Sequence, residues 1–376
     1  MNRVRRMLMS RSSPPVGAGR FPGRRLHWPL RPFDSPHPVR ATFGEPRGLV
    51  GVRAAAGLRG AALVHALERL NQLSVPGKRI IHHGIDIKAP DGTKVYAITN
   101  GVARIGGGTG YGRWVQVGDF RYVHLDDTIR EGARVRAMRT VLGTVYEGQG
   151  HVHLSRYHEG QPVNPLAFGG LIGYEDHSPP VIGALSAMSP RGRRMELGAL
   201  RGPVGLCVRA HDVQSQGGLG TGLYSMTYVM FDDADRVAVG PYHLFRMDRI
   251  PITPVGNLLY TVSSTRHRTQ PDIVYRVTVK SPSGDGLLRT GQMRPGDYRL
   301  RVSGADVRGR KTVRDFPIRI LSPFAEQEML AAGLDPAQAH DDDDDQPLID
   351  LEDTDEQLGG CGCPELDPAP DRPPDD

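Results

Sequence analysis

The stretch HHGIDIKAPDG, residues 82–92, gathers two histidines and an aspartate around one glycine ahead of a turn. Ile85 and Ile87 alternate with Asp86, which is the period of a strand, where successive side chains face opposite ways. In an extended chain His82, Gly84 and Asp86 share one face and His83, Ile85 and Ile87 the other. That selects His82 over His83 as the partner of Asp86. Four residues of ideal strand span roughly 13 Å, near the outer limit for two side chains meeting at one metal ion. The chain must therefore bend between them, and Gly84 is where it can.

Further along, HVHLSRY (151–157) puts His151 and His153 on one face with Val152 and Leu154 opposite, and RYVHLDD (121–127) sets His124 between Val123 and Leu125. Taken singly, each is an ordinary strand histidine. Together they place imidazole or carboxylate between apolar neighbours on three separate segments, and burying such groups unpaired is costly. One shared metal ion would satisfy them. The intervening text, KVYAITNGVARI, GRWVQVGD and TVLGTVYEG, is strand-like and broken by glycine turns, so a compact antiparallel β unit is expected.

In order, HHGIDI, GTGYGRWVQV, YVHL and HVHL resemble the M23 (LytM, lysostaphin-type) zinc metallopeptidases. HPVRATFGEPR upstream, GTKVYAITNGVARI after the aspartate and VNPLAF at the close add to the match, over about residues 37–170. The resemblance implies that His82, Asp86 and His153 ligate one Zn²⁺ per chain and that His151 and His124 are the catalytic histidines. It also makes Tyr111 a candidate wall of the substrate groove. Two neutral imidazoles and one carboxylate suit a catalytic zinc, which keeps a fourth position for water. His158 and Glu159 read as surface residues. The chain departs from the family at VYEGQGHVHLSRY, where the glycine-rich loop before the HxH pair is shortened and Gly150 stands in place of the usual proline. An insert between FGEPR and GKRIIHHG is also atypical; within it Leu63, Leu67, Leu70 and Leu73 predict a short amphipathic helix over 61–73.

The fold class expected is mainly β: an M23-type antiparallel β-sheet peptidase domain over 36–175, then an Ig-like β-sandwich over 176–322. VGLCVRAHDV, YSMTYVMF, NLLYTVSS, IVYRVTVKS and DYRLRVSGADVRGRKTVRDFPIRI supply the strands of the second unit, which is expected to fold on its own from residue 177. Residues 1–35, rich in Arg, Pro and Gly, read as a disordered basic arm, and 323–376 as a disordered acidic tail. The aspartates of HDDDDDQPLIDLEDTDEQ lack the spaced ligands, glycine and closing Glu of a calcium loop.

Charge is unevenly spread over the 376 residues. From Asp341 to Asp376 there are 15 acidic residues against Arg372 alone, so the formal net charge of +5 leaves about +19 on the rest. A basic body favours anionic partners such as a cell-wall polymer. Five lysines against 42 arginines reads as coding bias rather than as a set of ligands. Nucleic-acid binding would rest on charge alone, with little aromatic interleaving, and no nucleic-acid partner is expected. Cys207, Cys361 and Cys363 are too few for a disulfide scaffold or a four-thiolate zinc site, and Cys207 reads as a buried strand residue. No apolar run reaches the length of an integral membrane segment. Two functions are expected of such a chain. One is a zinc endopeptidase that hydrolyses the stem or cross-bridge peptides of bacterial peptidoglycan. The other is a non-catalytic LytM-type regulator or binding protein of the cell envelope. The first is favoured because all three ligand positions are filled. Its substrate would place it in the cell envelope, periplasmic or secreted, although Arg5 and Arg6 are not followed by the apolar region of an export signal. The oligomeric state is not set by the sequence.

Overall fold

The computed structural model describes residues 26–49, 79–167, 170–172, 174–214, 220–250, 259–261, 265–266, 271–282 and 286–322. The amphipathic stretch 61–73, the acidic tail with Cys361 and Cys363, and residues 1–25 lie outside the described residues. Among the described residues the chain is built of antiparallel strands and short 3₁₀ turns, a mainly β fold.

The first half centres on seven strands: β1 (Val39–Ala41), β2 (Ile85–Lys88), β3 (Arg104–Gly106), β4 (Trp114–Val117), β5 (Phe120–Val123), β6 (His151–His158) and β7 (Gln161–Val163). Their spatial order is β1-β2-β6-β5-β4-β3, with β7 pairing β6. A second sheet of Leu125–Asp126, Val141–Val145 and Lys94–Tyr96 packs beside it. Hairpin chemistry sets the register. Glu159 and Gly160 both take positive φ (51° and 72°) between β6 and β7, as a two-residue turn of the twist-matched type requires. Val152 and Leu154 of β6 and Ile85 and Ile87 of β2 are fully buried on one face of the sheet. The other face carries the polar residues.

Residues 26–35, expected within a disordered basic arm, are folded. Trp28 is fully buried, its indole N–H donates to the carbonyl of Ile172 at 2.5 Å, and Leu30 joins the core. An indole with a buried partner and a large apolar body has every reason to pack, so residues 26–35 belong to the folded body.

In the second half, β8 (Val181–Met188), β9 (Pro203–Val213) and β12 (Val274–Arg276) form one sheet with the short Arg194–Met195, Gly220–Thr221 and Leu288–Arg289 strands. β10 (Ser225–Asp232), β11 (Val237–Arg246), β13 (Gly296–Ala305) and β14 (Lys311–Ile320) form the other, in the order β11-β10-β13-β14. In β13, Tyr298, Leu300 and Val302 are buried while Arg299, Arg301 and Ser303 are half-buried, as the alternation predicts. Cys207 is buried in β9 with its thiol pushed up to about 11 by desolvation. IVYRVTVKS does not run as one strand: β12 ends at Arg276 and Val277–Val279 turn as 3₁₀ helix, all three side chains buried. Local β-propensity here yields to packing.

The two halves share a core. Met247 lies against Gly44, where a Cβ would fall 2.5 Å from its sulfur, and the Tyr260 hydroxyl donates to the Gly44 carbonyl at 2.6 Å. The Val39 N–H donates to Gln214 Oε1 at 3.2 Å. β1 is thus braced on one side by β2 and on the other by the second half.

Candidate metal centre

Pairing of β2 with β6 places His153 directly opposite Asp86 and His151 opposite Lys88. Their side chains share the polar face of the sheet. His82 arrives from the segment before β2, which leaves the extended path at Gly84. A Cβ at Gly84 would lie 2.4 Å from the Leu154 carbonyl oxygen and 2.7 Å from His153 Nε2, so glycine is needed for the close approach of β6 and the His153 ring. His83 faces away and is half-buried, with burial holding its pKa below the usual value.

Three donor atoms converge. His82 Nε2 lies 3.0 Å from Asp86 Oδ1 and 2.9 Å from His153 Nδ1, and His153 Nδ1 lies 3.0 Å from Asp86 Oδ1. All three residues are at most 2% exposed. The opposite ring nitrogens have partners of their own. His82 Nδ1 faces the Thr42 carbonyl at 2.8 Å and so must donate its proton there; His153 Nε2 meets the Ser155 hydroxyl at 2.8 Å. With the protons on those nitrogens, as the Thr42 carbonyl demands and the Ser155 hydroxyl allows, the triangle consists of three lone-pair atoms aimed at one another in a dry place. Such an arrangement is repulsive unless a cation sits among them. Tetrahedral zinc with bonds of about 2.0–2.1 Å separates its ligand atoms by roughly 3.3 Å, close to what is seen. The donor set fits a metal ion, and outer partners that fix each tautomer are what a metal-ligating histidine needs.

His151 and His124 stand beside this triangle. His151 Nδ1 donates to the Gln149 carbonyl at 2.6 Å, leaving Nε2 as the lone-pair nitrogen, 3.7 Å from Asp86 Oδ1. His124 follows β5 directly with φ at 64°, a left-handed turn that redirects its ring. Its Nδ1 donates to the Tyr111 carbonyl at 2.5 Å, and its ring lies 4.8 Å from that of His151 and 6.2 Å from that of His153, centre to centre. Burial, reinforced by the neighbouring His151 and His153, pushes the His124 pKa down to about 3. Burial also brings His151 down to about 4, with the Arg40 charge helping and Asp86 opposing. Both rings are therefore neutral at pH 7 and offer Nε2 as a proton acceptor.

Tyr111, on the turn Gly110–Gly112, is 49% exposed, and its ring stacks 6.3 Å from that of His124. It forms a rim rather than a floor. His158 and Glu159 pair at 3.9 Å on the surface. The shortened loop before His151 is pinned by Asp91, whose carboxylate accepts the Gly148 and Gly150 N–H groups at 2.7 and 2.8 Å and is held below the usual carboxylate range by them. This loop delivers the Gln149 carbonyl, which also accepts from Arg40 Nη1 at 3.1 Å. Arg40 Nε lies 4.0 Å from Asp86 Oδ2.

Sequence reasoning missed several of these groups. Ser155 was accessible to it, since it lies two residues beyond His153 on the same strand face. Asp91 stands in the turn text APDG, where nothing local signals that it pins a loop 57 residues away. The Thr42 contact is made by a backbone carbonyl, which leaves no trace in side-chain identity. Behind it, fully buried Glu45 accepts at Oε1 from the Thr42 N–H (2.6 Å), the Thr42 hydroxyl (2.9 Å) and the Gly222 N–H (2.9 Å).

The antiparallel β sheet thus presents a buried His-Asp-His group that could hold a metal ion, with two further histidines beside it. The family model described as Peptidase family M23 matches residues 80–165, so the chain carries an M23 domain that contains all five of these side chains. Among solved structures, a zinc-containing peptidase from Vibrio cholerae is similar at 17% sequence identity and a TM-score of 0.26, over 38% of this chain and 39% of that one. The present chain thus spans about two fifths of that protein's length. No curated protein matches.

Proposed function

We propose that this protein is a zinc-dependent endopeptidase that hydrolyses the peptide cross-links of bacterial peptidoglycan and works in the cell envelope, periplasmic or secreted. The observation that carries the reading is the buried triangle of His82 Nε2, Asp86 Oδ1 and His153 Nδ1 with the neutral imidazoles of His151 and His124 next to it. These three residues would hold the zinc. When bound, zinc supplies a water of lowered pKa and a Lewis acid for the scissile carbonyl. The chain supplies proton handling. His151 Nε2 accepts the proton of the attacking water, and the Gln149 carbonyl on Nδ1 keeps that ring in the right tautomer and steadies the imidazolium that results. His124, oriented by the Tyr111 carbonyl, is the second acceptor, and either ring once protonated can donate to the developing oxyanion or the leaving amine. Tyr111 at the rim would contact the peptide.

The test is digestion of purified peptidoglycan by the full chain with mass analysis of the soluble fragments. Fragments cut at a peptide bond, absent when a chelator is present, are expected; fragments cut in the glycan, or none, would contradict the reading. One observation favours the second function, a non-catalytic binding protein. Arg40 reaches from β1 across to Gln149 and sits 4.0 Å from Asp86, over a centre in which His82, Asp86 and His151 have no exposed surface. Retention of peptidoglycan on the protein without any cleavage would support that alternative.

A further inference from the structure

A second polar cluster lies in the other half of the molecule, away from the metal centre. Asp176, Asp212 and Asp306 each offer a carboxylate oxygen, and these oxygens lie within 4.8 Å of one another. The three residues are 1%, 3% and 0% exposed. They come from separate places: Asp176 from the connection between the two halves, Asp212 from the end of β9, and Asp306 from just beyond β13. Three carboxylates do not gather in a dry place without compensation.

The compensation in the protein is incomplete. Asp306 Oδ1 accepts the Arg310 N–H at 2.8 Å, but Oδ2 has no hydrogen-bond partner; Arg310 Nη1 comes only to 3.8 Å. Asp212 Oδ1 is buried with no hydrogen-bond partner. An independent sign comes from the neighbouring strand. Thr221 pairs directly with Asp212 across the sheet, so the two side chains stand on the same face. Thr221 is fully buried and its hydroxyl also has no hydrogen-bond partner. Buried polar groups in native proteins are satisfied, so each of these atoms needs an explanation. Around them, Arg308 donates to the Tyr174 carbonyl, Arg310 also faces His177 at 3.4 Å, and Tyr174, Glu175, Asp176, His177, Arg308 and Arg310 line an open cleft of about 520 Å³ beside the cluster.

We propose that Asp176, Asp212, Asp306 and the Thr221 hydroxyl form a second cation site, one that takes Ca²⁺. The donors are all oxygen, which a hard cation prefers and zinc does not. Several anionic donors from distant segments, with room for water from the cleft, suit the larger, flexible coordination of calcium over the strict octahedron of magnesium. Bound there, the ion ties the connection between the halves to both sheets of the second half. Gln214, two residues beyond Asp212, donates to the Tyr174 hydroxyl at 2.9 Å and accepts from Val39 of β1, so the clamp also reaches the strand that pairs with β2 and Asp86. Burial together with the charges of Asp176 and Asp306 raises the Asp212 pKa well above the usual carboxylate range. Calcium must displace that proton.

The experiment is calorimetric titration of CaCl₂ into the full chain, stripped of metal and reloaded with zinc, at pH 6 and pH 7.5 and in buffers of different ionisation enthalpy. One Ca²⁺ per chain is expected, with proton release, tighter binding at the higher pH and a rise in Tm. Asp212→Asn should weaken binding at least tenfold. Thr221→Val, which keeps the shape, should weaken it several-fold with the Tm of the calcium-free protein little changed. His82→Ala should leave calcium binding as it was. No heat and no Tm response to millimolar Ca²⁺ in the parent protein, together with an Asp212→Asn protein at least as stable, would overturn the proposal: the cluster would then be carboxyl groups sharing protons. Calcium binding unaffected by both Asp212→Asn and Thr221→Val would overturn it as well.

Discussion

His151 differs from His82 in where its lone-pair nitrogen lies: each ring spends Nδ1 on a backbone carbonyl, but His151 Nε2 stands back from Asp86 Oδ1 at 3.7 Å where His82 Nε2 comes to 3.0 Å. In the proposed mechanism a residue so placed moves protons and leaves the metal to the other three. His151→Ala is expected to retain zinc and to lose peptide hydrolysis by at least about a hundredfold, the scale of a general base. Parallel loss of zinc and activity would make it a ligand instead. Burial sets a second expectation. The folded pKa of about 4 lies below the unfolded value of 6.5, so between these two the unfolded chain binds more protons. The stability that neutral His151 contributes is fully present above pH 6.5 and is lost as the pH falls towards 4. Urea unfolding of the metal-free protein should therefore lose on the order of 3 kcal/mol more between pH 7 and pH 4 than unfolding of His151→Asn does. Equal losses would place the His151 ring in water.

At the scale of elements, the centre depends on how β1, β2 and β6 are held. The path runs from Gly222 in the second half through Glu45 to Thr42, whose carbonyl orients His82. A Cβ at Gly222 would meet Glu45 Cγ at 2.8 Å. Gly222→Ala should thus push Glu45 aside, destabilise the protein by about 1–3 kcal/mol and weaken zinc roughly tenfold, as loss of an outer partner does. A chelator competition that shows unchanged zinc affinity would cut this path. Much of this scale was legible in the sequence. Alternation in IDI and HVHLS named the strands, their two faces and the cluster, because period two is imposed by backbone geometry. What was not legible is what sequence spacing does not encode. The left-handed turn at His124, the 3₁₀ turn at Val277–Val279 and the backbone carbonyls of Thr42, Tyr111 and Gln149 all follow from tertiary packing. Asp176, Asp212 and Asp306 lie in unremarkable local text and meet only through the fold.

In the whole molecule, the M23 domain and the second half are not simply strung together. Met247 on Gly44, Tyr260 on the Gly44 carbonyl and Asn164 on the Met247 carbonyl at 2.8 Å bury the junction. An isolated fragment 177–322 would bare these contacts, and its urea midpoint should fall below that of the corresponding transition in the full chain. Equal midpoints would show the junction to be energetically idle. The central claim is that His82, Asp86 and His153 hold one catalytic zinc. Metal analysis of the purified full chain and of Asp86→Asn, an isosteric change checked by circular dichroism for an intact fold, tests it most directly. The account predicts close to one zinc per chain in the parent and almost none in the variant; zinc retained by a folded Asp86→Asn protein, or absent from the parent after zinc loading, would contradict it.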